Sequence, residues 1–578
     1  MRRLYRLEGL HLRHRVRRRK HSNLPPPPFA GAEIRRLNAS FAPPFAHVDV
    51  RVNVGTRISP DTAGEKIMKS RFLVGLGAIT CSAALTMPIR LVAQDQAEAD
   101  HKHHHYKLID VGTLGGPQSF FQEAQRVLND NGLFVGWADT AISGYPEFCF
   151  NPGDGFYAHA FQRQDSVLTD LGTLPGGNSS QAVWVSANGL ITGYSSNGQL
   201  DPLVFGLPEA RAVLWREGQA VDLGTLGGNE SIANAVNSRG QVVGMALNAI
   251  GDPYSFFDFV LCGSSSGTQT RAFLWDPDNG MQDLGTLGTG NNAWATFVNE
   301  AGQVAGFSYT NSIPNDTTGV PTIHPFLWDK KNGMRDLGSF GGTVVENINR
   351  LNQRGQIVGT LTLPGDEAVG WHPFVWDGEQ LIDLGTYGGD HDWGNWINDA
   401  GEVTGQGAFP GLQEFHGFFW KDGKKTDLGV LPGDFESDAL VINSRSQIVG
   451  FSGNDESQSA SAVLWENESA QIVDLNTLVA PGSGLALYSA PYINDRGEIA
   501  AFGADSNGNN HDVLLIPCDA GHPSIEGCDY TMVDVGAGVP RNTHNGALPK
   551  SLMRQLNRHE GANRRPMQDA PPTRGRHQ

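Results

Sequence analysis

At 578 residues, with 72 glycines and only 18% charged residues, the chain is too long for one ordinary core, and no helical domain stands out in it. Several domains or a repeat array remain, and regularly spaced Trp, Phe and β-branched residues favour an array of short strands between tight turns. The net charge of −18 is a sum over unlike regions, since a strongly basic start precedes an acidic body.

Residues 1–67 carry 14 Lys and Arg against 5 Asp and Glu, with Arg17, Arg18, Arg19 and Lys20 in a row and prolines at 25–28. Such a stretch cannot bury a core and reads as a disordered basic segment. Residues 68–93 have the layout of a secretory signal. Met68, Lys69 and Arg71 form the basic start, Phe72 to Leu85 the apolar run, and Leu91-Val92-Ala93 a small-residue cleavage site. The apolar run is short for a membrane span, which needs about 20 residues. Because signals act from the N-terminus, translation is expected to begin at Met68, with residues 1–67 a misassigned upstream start. The alternative is a genuine basic arm for nucleic acid or anionic lipid.

Export and cleavage predict a secreted chain, extracellular or periplasmic, with no transmembrane segment in the mature protein and no nucleic-acid partner. Residues 94–105 then form a His-rich leader, where His101, His103, His104 and His105 read either as metal-binding or as a polar spacer.

From residue 106 onward a repeat dominates. An Asp-Leu-Gly-Thr-Leu-Gly-Gly element begins at Asp110 (with Val111), Asp170, Asp222, Asp283, Asp336, Asp383, Asp427 and, degraded, Asp474, at intervals of 60, 52, 61, 53, 47, 44 and 47 residues. Ahead of it lies a short apolar strand that usually ends in Trp, as in Phe273-Leu274-Trp275 and Phe326-Leu327-Trp328. Behind it an Asn-x-x-Gly turn leads into another apolar strand, as at Asn237 to Gly240. Asn299, Asn352, Asn398 and Asn494 open equivalent turns, and Asn443 has Ser446 where Gly is expected.

These residues resemble the HAF repeat family of bacterial extracellular proteins. His159-Ala160-Phe161 matches the naming tripeptide in full; His324-Pro325-Phe326, His372-Pro373-Phe374 and His416-Gly417-Phe418 match in part. The resemblance spans roughly residues 106–516. It implies an extracellular location and a β-propeller-like body, and it brings no reaction with it.

Each unit reads as four strands: a, the Trp strand; b, the Asp-Leu-Gly strand; c, entering the Asn turn; and d, leaving it. The predicted fold is therefore an all-β propeller of about eight four-stranded blades, with seven as the alternative because Met532-Val533-Asp534-Val535-Gly536 also looks like a b strand and the Asp474 unit is degraded. The array starts at strand b, Tyr106 to Asp110, and ends after strand a, His511 to Leu515, so pairing of the terminal strands would close the ring and leave no open edge. Residues 517–540 are expected to form a disulfide hairpin and closing strand, and residues 541–578 a basic disordered tail.

The mature chain keeps Cys149, Cys262, Cys518 and Cys528. An even count after export suits disulfides, and a hairpin could join Cys518 to Cys528. Cys149–Cys262 has less behind it, since each lies in an insertion. In a meander of this order the b–c and d–a connections share one face, and the d–a loops vary most, so any site is expected there. Those loops carry Tyr145, Phe148, Tyr254, Phe256, Phe257 and Phe259 among Asp154, Asp252 and Asp258.

Asp390, His391 and Asp392 in one b–c turn are candidate metal residues, with spacing that suits Ca²⁺, against the reading as a solvated loop. No cofactor is otherwise expected. Gly263-Ser264-Ser265-Ser266-Gly267 has the spelling of a nucleophile elbow but lacks the strand-to-helix turn, so no catalytic residue is assigned. The sequence therefore favours a non-catalytic binding or scaffold protein, monomeric, presenting a loop-rich face to an extracellular carbohydrate or protein. The alternatives are an extracellular glycan-active enzyme on a propeller and a purely structural surface protein.

Overall fold

In the computed structural model the described residues are 102–534, apart from 145–153, 203–206, 217, 256–266, 366–369, 390, 412–413, 455–458 and 469–470. They are all-β except for one short 3-10 turn, Leu475–Thr477. Among the described residues no helix is long and apolar enough to cross a membrane. The basic segment, the signal, the closing Gly536 and the tail lie outside the described residues, as do Cys149 and Cys262.

Strands c, d, a and b of each unit pair in that order as an antiparallel meander. Gly115–Phe120, Phe134–Ser143, Phe156–Gln164 and Val167–Gly172 make the first sheet. The units at 180–222, 227–283, 293–336 and 345–383 make the next four. The sheet built last in the chain takes its outermost strand from the start: Tyr106–Asp110 lies antiparallel to Asn510–Pro517, with Asp110 opposite Val513.

The fold is a β-propeller, but the count of seven or eight separate blades is corrected. Six sheets are discrete and four-stranded, and the units at 392–427 and 436–474 are fused into one eight-stranded sheet. The fusion is a single parallel bridge, Phe415 to Glu436. Its cause is the short d–a loop before His416, which starts strand a beside the next strand c, where the Phe415 amide donates to the Phe435 carbonyl at 3.1 Å. Met532–Asp534 pairs with Lys102–His104 in a two-stranded sheet of its own rather than joining a blade.

The repeat motif is explained by its hydrogen bonds. The first residue of His-Ala-Phe reaches the Asp of the adjacent b strand, in His159–Asp170 (3.0 Å), His324–Asp336 (2.9 Å), His372–Asp383 (3.2 Å), His416–Asp427 (2.9 Å) and His511–Asp110 (3.1 Å). Arg211 and Arg271 do the same to Asp222 and Asp283. Each of these Asp side chains also accepts the amide of the Gly two residues on, as Asp336 does from Gly338 at 2.7 Å, which shapes the turn toward the next sheet. The Phe of the motif is fully buried at 161, 273, 326, 374 and 418. Trp215 and Trp465 donate from their indoles to Leu171 and Leu428 of the preceding unit, pinning sheet to sheet.

The Asn turns form a circuit. The Asn side-chain oxygen accepts the amides two and four residues on, as Asn352 does from Arg354 (3.0 Å) and Gln356 (2.9 Å). The side-chain nitrogen donates to the carbonyl that opens the next turn: Asn237 to Asn299, Asn299 to Asn352, Asn352 to Asn398, Asn398 to Asn443, Asn443 to Asn494, and Asn494 back to Asn129. Asn129 continues to Ser186, and there Asn188 takes over, donating to Ser238 at 2.8 Å. The fourth residue of the turn needs a left-handed backbone. Gly240 supplies it at φ +79°, whereas Ser446 is held at φ +61° despite its side chain.

Strand c is innermost and carries a register shift just before the turn, as between Ala182 and Trp184, Ala295 and Phe297, or Gly394 and Trp396. A bulge re-aims the side chain that follows it. The bulged carbonyl is why strand d keeps Gly at the facing position: a Cβ on Gly405 would come within 1.9 Å of the Trp393 oxygen.

The residues two before each turn opener, Val127, Trp184, Ala235, Phe297, Arg350, Trp396, Val441 and Tyr492, form one layer, buried except for the partly exposed Arg350. Arg350 of the fifth sheet lies over the rings of Trp396, Trp184 and Phe297 at 4.1, 5.0 and 5.9 Å. Those rings belong to the sixth, second and fourth sheets, so the side chains converge on a common axis.

Candidate functional site

The d–a loop of the first sheet brings two carboxyls together. Strand d places Asp139 opposite Ala158, fully buried, and Asp154 at the end of the loop remains partly exposed. Gln118 joins them, since its backbone amide donates to Asp139 Oδ2 at 3.0 Å and its side-chain amide to Asp154 Oδ2 at 2.8 Å. The amide of Phe156 donates to Asp154 Oδ1 at 3.1 Å.

The remaining oxygen, Asp139 Oδ1, meets no donor. Burial, then the charge of Asp154 and the hydrogen bond to it, push the Asp139 carboxyl up to about 8, against the Gln118 amide. Asp154 is the solvent-facing member of the pair.

This pair sits on the seam between the first and last units. Gln118 Oε1 accepts the Asn510 amide at 3.2 Å, Asn510 Nδ2 donates to the Ser119 carbonyl at 2.6 Å, and the buried Tyr488 hydroxyl donates to Asn510 Oδ1 at 2.5 Å. Two residues on, Asp512 is fully buried and neither of its oxygens has a hydrogen-bond partner. Burial, reinforced by the charge of Asp110, raises its carboxyl well above the usual range.

The other sequence candidates fall elsewhere. Asp390 lies outside the described residues. The His391 ring packs on Trp371 at 4.8 Å and Trp393 at 6.1 Å. Asp392 is fully buried, accepting Lys425 Nζ at 2.5 Å and the Ala408 amide at 3.0 Å. Burial outweighs the lysine and leaves the Asp392 carboxyl raised. Asp392 thus points into the protein, away from any shared site with His391, and among the described residues no three His, Cys, Asp or Glu side chains are grouped to hold a metal.

Of the loop residues, Tyr145, Phe148, Phe256, Phe257, Asp258 and Phe259 lie outside the described residues. Asp252 is buried and receives Asn291, Asn292 and the Tyr254 amide. Cys518 and Cys528 are joined as a disulfide, Cα atoms 5.5 Å apart, in a segment whose His522 lies between Asp519 (2.8 Å) and Glu498 (3.4 Å). The Asp139–Asp154 pair was not singled out in the sequence. Its signal was an Asp at each end of the first long d–a loop.

No protein-family model matches the sequence, and no curated protein does. Solved structures are similar at low identity. A puromycin-hydrolysing peptidase of Mycobacterium tuberculosis matches with TM-score 0.37 and 11% identity over 70% of this chain and 61% of that one. The β-propeller domain of the Trilobed protease from Pyrococcus furiosus, described as having an open velcro topology, matches with TM-score 0.35 and 8% identity over 64% and 98%. Porphyromonas gingivalis dipeptidyl peptidase 4 matches with TM-score 0.37 and 10% identity over 60% and 54%. The chain thus spans about three fifths of the length of the M. tuberculosis peptidase. All three are peptidases or parts of one by name, and against them the expectation of a non-catalytic binding or scaffold module is corrected and goes no further.

Proposed function

We propose that the chain is a secreted hydrolase built from HAF-type repeats, a closed ring of eight repeat units in which the Asp139–Asp154 pair cleaves amide bonds of a peptide. The carrying observation is the placement of two carboxyls on one Gln118, with Asp139 fully buried and pushed up to about 8 by burial and the charge of Asp154, and Asp154 partly exposed. Asp154 takes a proton from the attacking water as the oxygen bonds to the carbonyl carbon, and that proton passes to the leaving nitrogen as the C–N bond breaks. Asp139, buried behind it, is a positioning residue that fixes Asp154 in place and in charge.

Carboxyls that cleave glycosidic bonds stand about 5 to 9.5 Å apart to admit a sugar linkage or water between them. Asp139 and Asp154 are placed by the backbone and side-chain amides of one Gln118, and the charge of Asp154 raises Asp139, a close pairing that favours an amide substrate over the glycan named as the sequence alternative. Eight units in a closed ring are supported by the circuit from Asn494 to Asn129 and by the pairing of Tyr106–Asp110 with Asn510–Pro517. Secretion and membership of the HAF family rest on the signal at 68–93 and on the repeat itself.

The test is a turnover screen of the mature chain on a mixed peptide library beside a glycan array. Peptide cleavage that is lost in Asp154→Asn supports the reading. Cleavage of glycans alone, peptide cleavage unchanged in the variant, or no turnover by the folded protein overturns it.

A further inference from the structure

The axial layer contains one cation with no counter-ion. Arg350 Nη1 is closed off from solvent and has no hydrogen-bond partner, and among the described residues no carboxylate forms an ion pair with Arg350. The like charge that acts on it, Arg126, is occupied by Asp130 at 3.6 Å. Asp399, Asp495 and the Tyr492 hydroxyl act on Arg350 only as more distant charges, and burial outweighs them, lowering the guanidinium to about 10. Its Cζ lies over the rings of Trp396 and Trp184, while the residue as a whole keeps partial exposure.

A guanidinium seated over aromatic rings with an unpaired edge nitrogen is preorganised for a planar anion, because its edge carries the parallel N–H groups that match a carboxylate. Leaving such a charge uncompensated is unfavourable, and a bound anion offsets it. We propose that the axial layer holds a binding site for a small ring-bearing carboxylate at Arg350, with the guanidinium gripping the carboxylate and Trp184 and Trp396 beside the ring. The site is separate from the carboxyl pair and does not rest on its activity. Sheets meeting at the axis each contribute one side chain, so such a ligand would bind several repeat units at once.

The experiment is calorimetric titration of the mature chain with benzoate, with benzamide as the neutral isostere, followed in parallel by tryptophan fluorescence. Benzoate should bind and shift the fluorescence, benzamide should bind at least tenfold more weakly, and Arg350→Met should lose at least tenfold in benzoate affinity. Arg350→Lys, which keeps the charge without the fork, should fall between the two and serves if the Met variant does not fold. Benzoate binding unchanged in both variants, equal binding of benzamide, or no benzoate binding by the folded wild type at millimolar concentration overturns the proposal.

Discussion

Replacing Asp512 with Ala should stabilise the protein, and more so at neutral than at acid pH. The matching position of strand a in the other seven units is Ala160, Ala212, Ala272, Pro325, Pro373, Gly417 or Ala462, so the slot is shaped for a small side chain. The Asp512 amide donates to Ser119 Oγ at 2.8 Å, as the Ala160 amide does to Ser180 Oγ at 2.9 Å, so Ala keeps the backbone contact. What Ala removes is a buried carboxyl without a partner, a penalty of about 1 to 3 kcal/mol even when neutral. The pH term adds to it. The folded-state value is raised, so below about pH 3.9 both states are protonated and no titration penalty exists. Above that the unfolded chain releases its proton and the folded one does not, and stability falls by about 1.4 kcal/mol per pH unit until the raised value is reached. Urea unfolding at pH 4 and pH 7 measures both parts. A variant that is less stable than wild type at pH 7, or a difference that does not grow between the two pH values, would refute the reasoning.

Asp139→Asn replaces the raised carboxyl with a neutral amide, so the loss of stability that wild type should show as pH rises toward about 8 should flatten in urea titrations of the variant. Asn299→Ala removes the bonds to the Ala301 and Gln303 amides and to the Asn352 carbonyl and should cost about 2 to 3 kcal/mol in the same assay. Ser446→Gly relieves about 1 to 2 kcal/mol of left-handed strain and gives up the 2.8 Å bond to Glu402, so the net gain should be about 0.5 kcal/mol.

The His–Asp pairs are half exposed, and each should contribute at most about 1 kcal/mol. Burial raises Asp336, but His324 and the Gly338 amide outweigh it and leave its carboxyl low, so its share is present above about pH 4 and is lost as pH falls through the lowered value. The hydrogen bond to Asp110 raises His511, so that share is full below about pH 6.5 and is lost as pH rises through the raised value. Asp336→Asn should therefore cost less at pH 2 than at pH 6.

The repeat, the strand order and the complementary ends could be read from the sequence because each unit repeats the residues its backbone needs: Asn where a side chain must satisfy turn amides, Gly where φ is positive, Phe where the sheets pack. The fused sheet could not be read, since one parallel bridge at Phe415 follows from loop length and leaves no motif. The axial layer also escaped, because the position two before the turn opener holds Trp, Ala, Phe, Arg, Val and Tyr in different units, and only the bulge makes these equivalent. Asp512 was legible in principle as an acid in the small slot of the His-Ala-Phe strand. Asp139 and Asp154 were not, because 14 residues, the end of strand d and the loop after it, separate two carboxyls that only folding brings together on Gln118.

Difference infrared spectroscopy of the carboxyl band across pH, wild type against Asp139→Asn, goes most directly to the proton on which the proposed chemistry depends. One protonated carboxyl should disappear near pH 8 in the wild type and be missing from the variant's spectra throughout. If both proteins lose the same carboxyl bands, with none unique to the wild type above about pH 6, Asp139 and Asp154 do not share a proton and the assignment of the site fails.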